Sequence, residues 1–200
     1  MKRVVKLFSG ISIFLLIIVL LVIWFSPYGK HDGFSYKLVK NTVQVNVSAD
    51  SVFRYLGNSE NAKRWSVFVD HITPFDTSLI PDGFIGSKRR CFCQSDEKGI
   101  YWDETVEEVI PNVKRKLSCY NLHGFSMSTT DIATEQLYVA NWDGSCDLTF
   151  TFFIDDREPG FIESLKLYLG AYRISSIFKR NLENMKSGCE NQKRIHQKEQ

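Results

Sequence analysis

Hydrophobic and polar positions divide the chain into one long apolar run, a series of alternating segments and one segment of helical period. The apolar run covers residues 7–25 and contains no charged residue. As a helix it would rise roughly 28 Å, close to the hydrocarbon thickness of a bilayer. The run is longer than the apolar core of a cleaved signal peptide and lacks a well-placed small-x-small site. We therefore expect an uncleaved single-pass transmembrane anchor with its hinge in residues 1–30.

The charges around this run give its expected orientation. Basic residues lie on both sides of it, at positions 2, 3 and 6 before and 30, 37 and 40 after. The asymmetry of these charges is small, and we expect the basic N-terminal flank to stay on the cytoplasmic side. The sequence thus predicts a cell-membrane location, a membrane contact through residues 7–25, and a domain outside the cytoplasm, on the periplasmic side if the cell is bacterial.

The alternating segments predict strands. The apolar positions Val43, Val45 and Val47 alternate as in a half-buried strand. Two short helices follow, one capped by Ser48 and one ending at Trp65. The other candidate strands share short polar turns at their ends, and they cover 69–75, 85–94, 100–110, 113–122, 129–140 and 145–155. Such turns between consecutive strands predict an antiparallel meander.

The segment of helical period closes the chain. It opens at Pro159 and Gly160, carries apolar residues at helical spacing as far as Met185, and is expected to stop at Gly188. The charged residues 189–200 have little to bury and are predicted to be a disordered polar tail. The sequence therefore predicts an α+β domain over residues 31–188, with a curved antiparallel sheet of about six to seven strands wrapped around the last helix.

Composition excludes several classes of function. The chain has 25 Lys and Arg against 23 Asp and Glu, and part of the basic excess lies beside the apolar run. No strong positive field is left to hold nucleic acid. The five cysteines are an odd number and include no CxxC pair, and the four histidines show no metal-ligand spacing. We expect no metal and no cofactor; the sequence leaves open whether any cysteines pair.

Four local features mark this order of elements: the Val45-x-Val47-x-Ala49 step, Trp65, Gly83-x-x-Gly86, and Trp102-x-Glu104-x-Val106 leading to Ile110-Pro111. With these features the chain resembles the START-like, or helix-grip, superfamily in its polyketide cyclase/dehydrase branch. The resemblance covers about residues 36–188 and concerns packing positions, so it supports the fold better than any activity. It implies a deep pocket between the sheet and the C-terminal helix for a lipid, sterol, quinone or other hydrophobic molecule.

One strand offers the main candidate for chemistry. Trp102, Glu104 and Val106 share a face of their strand, and an inward Glu104 could act as an acid or base or anchor a ligand. The alternative is that Glu104 pairs with Arg89 or Arg115 on a neighbouring strand, since buried acids are usually paired, or that it lies beyond a bulge in solvent. Arg89 and Arg115 themselves fit a pattern of cross-strand charges on the exposed face.

The predicted ligand-binding residues come from the same reasoning extended to other elements. Phe150 and Phe152 share the inward face of the last strand, and Trp65 could line the pocket mouth or anchor the core. With three positions of the C-terminal helix, the predicted set is Trp65, Trp102, Glu104, Phe150, Phe152, Leu165, Tyr168 and Tyr172. No residue is assigned a catalytic role.

Three functions remain open at this point. The first is a membrane-tethered protein, not an enzyme, that binds or transfers a hydrophobic small molecule or lipid. The second is a cyclase or dehydratase that uses a cavity acid or base. The third is a structural or stress-related membrane protein whose pocket is filled by its own side chains. The sequence identifies neither the ligand nor any protein partner or oligomeric state.

Overall fold

The computed structural model describes residues 2–198 except 33, 76, 126–130 and 156. Side chains are described from position 10 in the first helix and up to position 194 in the last.

Four helices and eight strands make up the described chain. The helices are α1 (Lys2–Trp24), α2 (Ala49–Gly57), α3 (Ala62–Trp65) and α4 (Phe161–Lys198), with a 3-10 turn at Ser59–Asn61 before α3. The strands are β1 (Tyr28–Lys30), β2 (Lys37–Val45), β3 (His71–Pro74), β4 (Lys88–Phe92), β5 (Tyr101–Ile110), β6 (Lys114–His123), β7 (Ile132–Ala140) and β8 (Cys146–Ile154).

All eight strands form one antiparallel sheet in the order β1-β2-β8-β7-β6-β5-β4-β3. Strands β3 to β8 follow each other as a meander, and β2 pairs with β8 to bring the N-terminal strands to the other edge. The long helix α4 packs on one face, which we call the inner face, and α2 and α3 extend this cover. The opposite face is called the outer face.

Strand alternation decides which side chains lie on the inner face. The pairs Asn41↔Phe150 and Gln136↔Phe150 place three side chains of β2, β7 and β8 in one row, and Arg115↔Gln136 continues it into β6. Arg89↔Glu104 belongs to the same face at the other end of the sheet. The inner face therefore carries polar side chains among apolar ones.

Apolar clusters under the helices hold the fold together. One cluster joins α2 and the second half of α4 to β2, β7 and β8 around Leu148, Leu182 and Met185. A second joins the first half of α4 to the sheet around Phe152 and Leu167. Both halves of α4 thus pack on the sheet, as the helical period of the sequence predicts.

The structure corrects the prediction of a membrane anchor. No helix in the part of the chain that the structure describes is long and apolar enough to cross a membrane. The predictions of a transmembrane helix and a single-pass cell-membrane location are therefore wrong, and the predicted membrane contact through residues 7–25 is not supported. The reasoning that put the domain outside the cytoplasm loses its basis.

The number and order of strands also differ from the prediction. The sheet has eight strands instead of six to seven, because Tyr28–Lys30 pairs with β2 where a hinge was expected. Two strands therefore precede α2, not one. The α+β class, the antiparallel sheet and the long C-terminal helix are as predicted.

At its C-terminal end, α4 continues past Gly188 to Lys198, through residues predicted to form a polar tail. Gly188 does not cap the helix. A Cβ atom at this position would lie 2.3 Å from the hydroxyl oxygen of Tyr55, so glycine allows α2 and α4 to approach each other. Cys189 is buried in the same contact region.

Candidate functional site

The inner face of β4 and β5 carries a buried ion pair. Arg89 Nε donates a 2.9 Å hydrogen bond to Glu104 Oε2, and the indole Nε1 of Trp102 donates a 2.8 Å bond to Glu104 Oε1. A second acid, Asp82, lies 3.7 Å from Arg89 Nη1. Glu104 thus points inward and is paired with Arg89, which is one of the two cationic partners that the alternative interpretation named. Both carboxylate oxygens are engaged, which disfavours a role of Glu104 as a general acid or base.

A second polar group lies on the inner face where β6 and β7 meet α2. Arg115 is 3% exposed, and its Nη1 lies 3.3 Å from the hydroxyl oxygen of Tyr138 and 3.5 Å from Gln136 Oε1. Its guanidinium carbon lies 4.5 Å from the ring centre of Phe53. Burial lowers the pKa of Arg115, although nearby Tyr138 and Asp82 act in the opposite direction. The sequence pattern placed Arg115 on the exposed face; the register with Gln136 places it inside.

Aromatic rings cover the inner face beside the ion pair. The ring of Trp102 stacks on Phe68 at 5.7 Å and meets Phe125 edge-on at 5.9 Å. Trp102 also packs against two of the apolar clusters, yet it is only half-buried. An aromatic ring that is flanked by apolar neighbours and still accessible offers a contact surface to an apolar ligand.

Two further side chains on the inner side have hydrogen-bond donors without a partner among the described residues. The indole Nε1 of Trp65 is one, and the amide Nδ2 of Asn41 is the other. Asn41 accepts a 3.0 Å bond from Ser175 of α4, which ties β2 to the helix. Trp65 packs between two apolar clusters at the end of α3. Buried donors are usually satisfied, so both positions can receive an acceptor oxygen.

The predicted strand residues lie together, whereas the predicted helix residues divide. Phe150 and Phe152 are buried on the inner face, in the two clusters beneath α4. Tyr168 packs edge-on against Tyr28 at the β1 edge of the sheet. Leu165 is half-buried near the start of α4 and belongs to none of the apolar clusters that the described residues form.

Tyr172 lies on a different side of α4 from the inner-face residues. Its hydroxyl donates a 2.8 Å bond to the carbonyl oxygen of Val22 in α1, and its side chain is largely exposed. With Phe25 and Arg180 it lines an open groove of about 460 Å³ between α1 and α4. The structure therefore does not bring Tyr172 together with Trp102 and Glu104.

Sequence reasoning missed several polar residues of the inner face. Arg115, Gln136, Tyr138 and Asn41 all lie there and are buried. The signal that could have found them is the register of adjacent strands. Gln136 lies opposite the inward Phe150, and Arg115 lies opposite Gln136, so both share the inner face.

The described residues contain no group of histidine, cysteine and acidic side chains that could hold a metal ion. The five cysteines are free thiols. Burial raises the pKa of Cys91 and Cys119 well above the ordinary thiol value, so these inner-face thiols are poor nucleophiles.

Comparison with known proteins places the fold. No family model and no curated protein matches the chain. Solved structures do. A START superfamily protein from Mycobacterium smegmatis superposes with a TM-score of 0.54 at 12% identity, over 77% of this chain and 97% of the other. The chain has a START-like fold.

Two other structures agree with this fold. The Zhui aromatase/cyclase from a Streptomyces species gives a TM-score of 0.53 at 13% identity, over 76% of this chain and 93% of its own. A protein from Nitrosospira multiformis gives 0.57 at 10% identity, over 78% and 99%. The START-like fold that the motifs predicted is confirmed, but the transmembrane helix that was expected with it is not. Identities this low show the START-like fold alone and do not carry over an activity.

Proposed function

We propose that this protein binds a hydrophobic small molecule between the inner face of its sheet and α4. The observation that carries the proposal is the half-buried ring of Trp102 among Phe68, Phe125 and two apolar clusters. Burying an apolar ligand against such a surface is worth about 0.8 kcal/mol per CH2 group. START-like neighbours in the structural comparison support a fold suited to this use.

The predicted ligand-binding residues have different roles in this proposal. Trp102, Phe150 and Phe152 supply apolar contact, Trp65 adds a hydrogen-bond donor, and Glu104 holds the indole of Trp102 in place. Tyr168 lies toward the β1 edge and would contact only a long ligand, and Leu165 lies outside the apolar clusters. Tyr172, on another side of α4, is left out. An enzymatic cyclase or dehydratase is the weaker candidate, because Glu104 is bonded to both Arg89 and Trp102.

The test uses the full chain purified from its native host, extracted and examined by mass spectrometry for retained apolar molecules. Binding of a fluorescent apolar probe is then compared in two tryptophan variants. Trp102→Ala should weaken probe binding about tenfold or more, since an aromatic contact of this size is lost. Trp142→Ala is the matched control, because Trp142 is fully exposed in the turn between β7 and β8.

Two results would count against the proposal. One is a protein that carries no apolar molecule and binds no probe, which favours an inner side filled by its own side chains. The other is equal loss of binding in the two tryptophan variants, because Trp142 has no contact with the inner face.

A further inference from the structure

The charge of Arg115 is buried without a counter-charge in contact. Its two hydrogen-bond partners, the hydroxyl of Tyr138 and the amide oxygen of Gln136, are neutral. No described carboxylate lies within salt-bridge distance of it. A guanidinium group keeps its proton in proteins, so the side chain remains a cation in this environment. Buried cations are normally paired, which makes Arg115 an exception that needs an explanation.

The charged neighbours of Arg115 do not provide the missing partner. Arg89 is the other cation on this part of the inner face, and Glu104 and Asp82 both lie within 4 Å of it. Asp82 also acts on Arg115 through space, but its side chain is partly exposed and it is nearer to Arg89. The acids of this region therefore serve Arg89, and Arg115 is left with neutral contacts.

One edge of the Arg115 guanidinium is open for hydrogen bonding. Nε is buried and has no partner among the described residues, and no described group accepts a bond from Nη2. Nε and Nη2 form the edge of arginine that binds a carboxylate through two parallel bonds. The edge that Arg115 uses within the protein is the other one, at Nη1.

The backbone of α2 lies close to this edge. Nη2 lies next to Gly57 at the end of α2, where a Cβ atom would be only 2.9 Å away. The carboxyl end of α2 and the ring of Phe53 both stabilise a cation here, but neither accepts a hydrogen bond from Nε. They explain how the charge is tolerated and not why the Nε–Nη2 edge has no acceptor.

We propose that Arg115 binds the carboxylate of an amphiphilic acid whose apolar body lies along the inner face. This inference rests on the proposed function and gives the ligand a chemical class. The carboxylate accepts bonds from Nε and Nη2, and the alkyl or ring portion extends toward Phe150 and Trp102. The donors of Trp65 and Asn41 are available to further oxygens of the same ligand.

The experiment measures binding of four C12 probes to the full chain by calorimetry, each below its aggregation concentration. The probes are dodecanoic acid, dodecanol, dodecyl phosphate and dodecylamine. We expect dodecanoic acid at pH 8 to bind about tenfold or more tightly than dodecanol, since charge-assisted bonds to arginine are strong. In Arg115→Met this ratio should fall to about one, with dodecanol affinity unchanged.

The matched control is Arg54→Met. Arg54 lies on α2 near Phe53, is exposed and pairs only with Asp50 among the described residues, so the acid-to-alcohol ratio should not change. A second variant, Gly57→Ala, keeps the charge but pushes a methyl group against Nη2. It should weaken dodecanoic acid binding and leave dodecanol binding as it was.

The outcomes separate this inference from the proposed function. Equal binding of dodecanoic acid and dodecanol, or a ratio that survives in Arg115→Met, overturns the carboxylate assignment while apolar binding stands. A preference for dodecyl phosphate or dodecylamine also overturns it. If none of the four probes binds, the inference falls together with the proposed function. Thermal melting provides a check on folding, because removing an uncompensated buried charge should leave the melting temperature of Arg115→Met unchanged or higher.

Discussion

Two neighbouring ion pairs lie on opposite faces of the same two strands. Arg89 pairs with Glu104 on the inner face, and one residue along, Arg90 pairs with Asp103 on the outer face through bonds of 2.6 and 3.0 Å. The Arg89 side chain is 9% exposed and that of Arg90 is 31% exposed. The same residue types at the same register thus have different surroundings, because successive side chains of a strand point to opposite faces.

The apolar residues of the two faces differ as well. On the outer face Leu38, Ala133 and Phe153 are fully buried under Phe34 and Tyr36, and the ring of Tyr36 stacks on Phe153 at 4.2 Å. On the inner face Phe150 and Phe152 keep 7% and 8% of their surface accessible, although a helix covers them. The outer cluster is sealed by the chain itself, whereas the inner face keeps some accessible surface for the proposed ligand.

The largest expected effect comes from breaking the inner ion pair. Glu104→Leu should lower the free energy of unfolding by about 3 kcal/mol, because Arg89 and the Trp102 indole lose their acceptor and Arg89 cannot reach water. The comparison variant, Asp103→Leu, should cost about 1 kcal/mol, since Arg90 is partly exposed and can be hydrated. Urea denaturation of both variants measures the difference.

A double variant makes this comparison stricter. Arg89→Met combined with Glu104→Leu removes both charges and should recover much of the loss seen in Glu104→Leu alone. An equal loss of unfolding free energy in Glu104→Leu and Asp103→Leu would show that an unpaired arginine costs the same on both faces.

A smaller effect is expected where α4 meets the helix that extends the inner cover. Gly188→Ala places a Cβ atom against the hydroxyl of Tyr55, so α2 and α4 must separate or Tyr55 must move. We expect a loss of about 1–3 kcal/mol in unfolding free energy, measured in urea. The control is Gly160→Ala, a site beside the start of α4 with nothing within 4 Å of the added atom. An unchanged free energy of unfolding in Gly188→Ala would contradict a close contact between Gly188 and Tyr55.

The smallest effect concerns the outer pair and pH. Burial raises the pKa of Asp103, but hydrogen bonds from Arg90 and Asn121 outweigh it and hold this pKa below the ordinary value. A lowered folded pKa gives stability that is present above the unfolded value of about 3.9 and is lost as pH falls through the folded pKa. Wild type should therefore exceed Asp103→Asn in melting temperature at pH 7, and this gap should narrow as the pH falls below the unfolded pKa of about 3.9. A gap that persists in acid contradicts the ion-pair explanation.

Most elements of the fold could be predicted from the sequence because their periods are local. Alternation predicted β2, turn residues bounded β5 to β8, and the segment 141–144 forms the turn between the last two strands. The helical period predicted α4, and the strand period predicted that Trp102, Glu104 and Val106 share one face. These inferences need only the geometry of a single strand or helix.

Other features could not be predicted because they depend on which segments meet. The interpretation of Gly188 as a helix stop ignored the possibility that a distant tyrosine packs against it. The charge pattern of Arg89 and Arg115 was assigned to the exposed face, since charged residues are usually exposed. The membrane anchor was inferred from the apolar length of residues 7–25 and their flanks, whereas no helix of the described residues is long and apolar enough to cross a membrane.

By itself the sequence determined the α+β class, the antiparallel meander after the short helices and the long C-terminal helix, because periodicity and turn residues act over a few neighbours. Only the tertiary structure decided that Glu104 is bonded to Arg89 and Trp102, that Tyr172 lies on a different side of α4, and that Arg115 is buried with one edge unpaired. The physical reason is that strand register and helix packing bring together residues far apart in the chain, and burial then sets the energy of each charge.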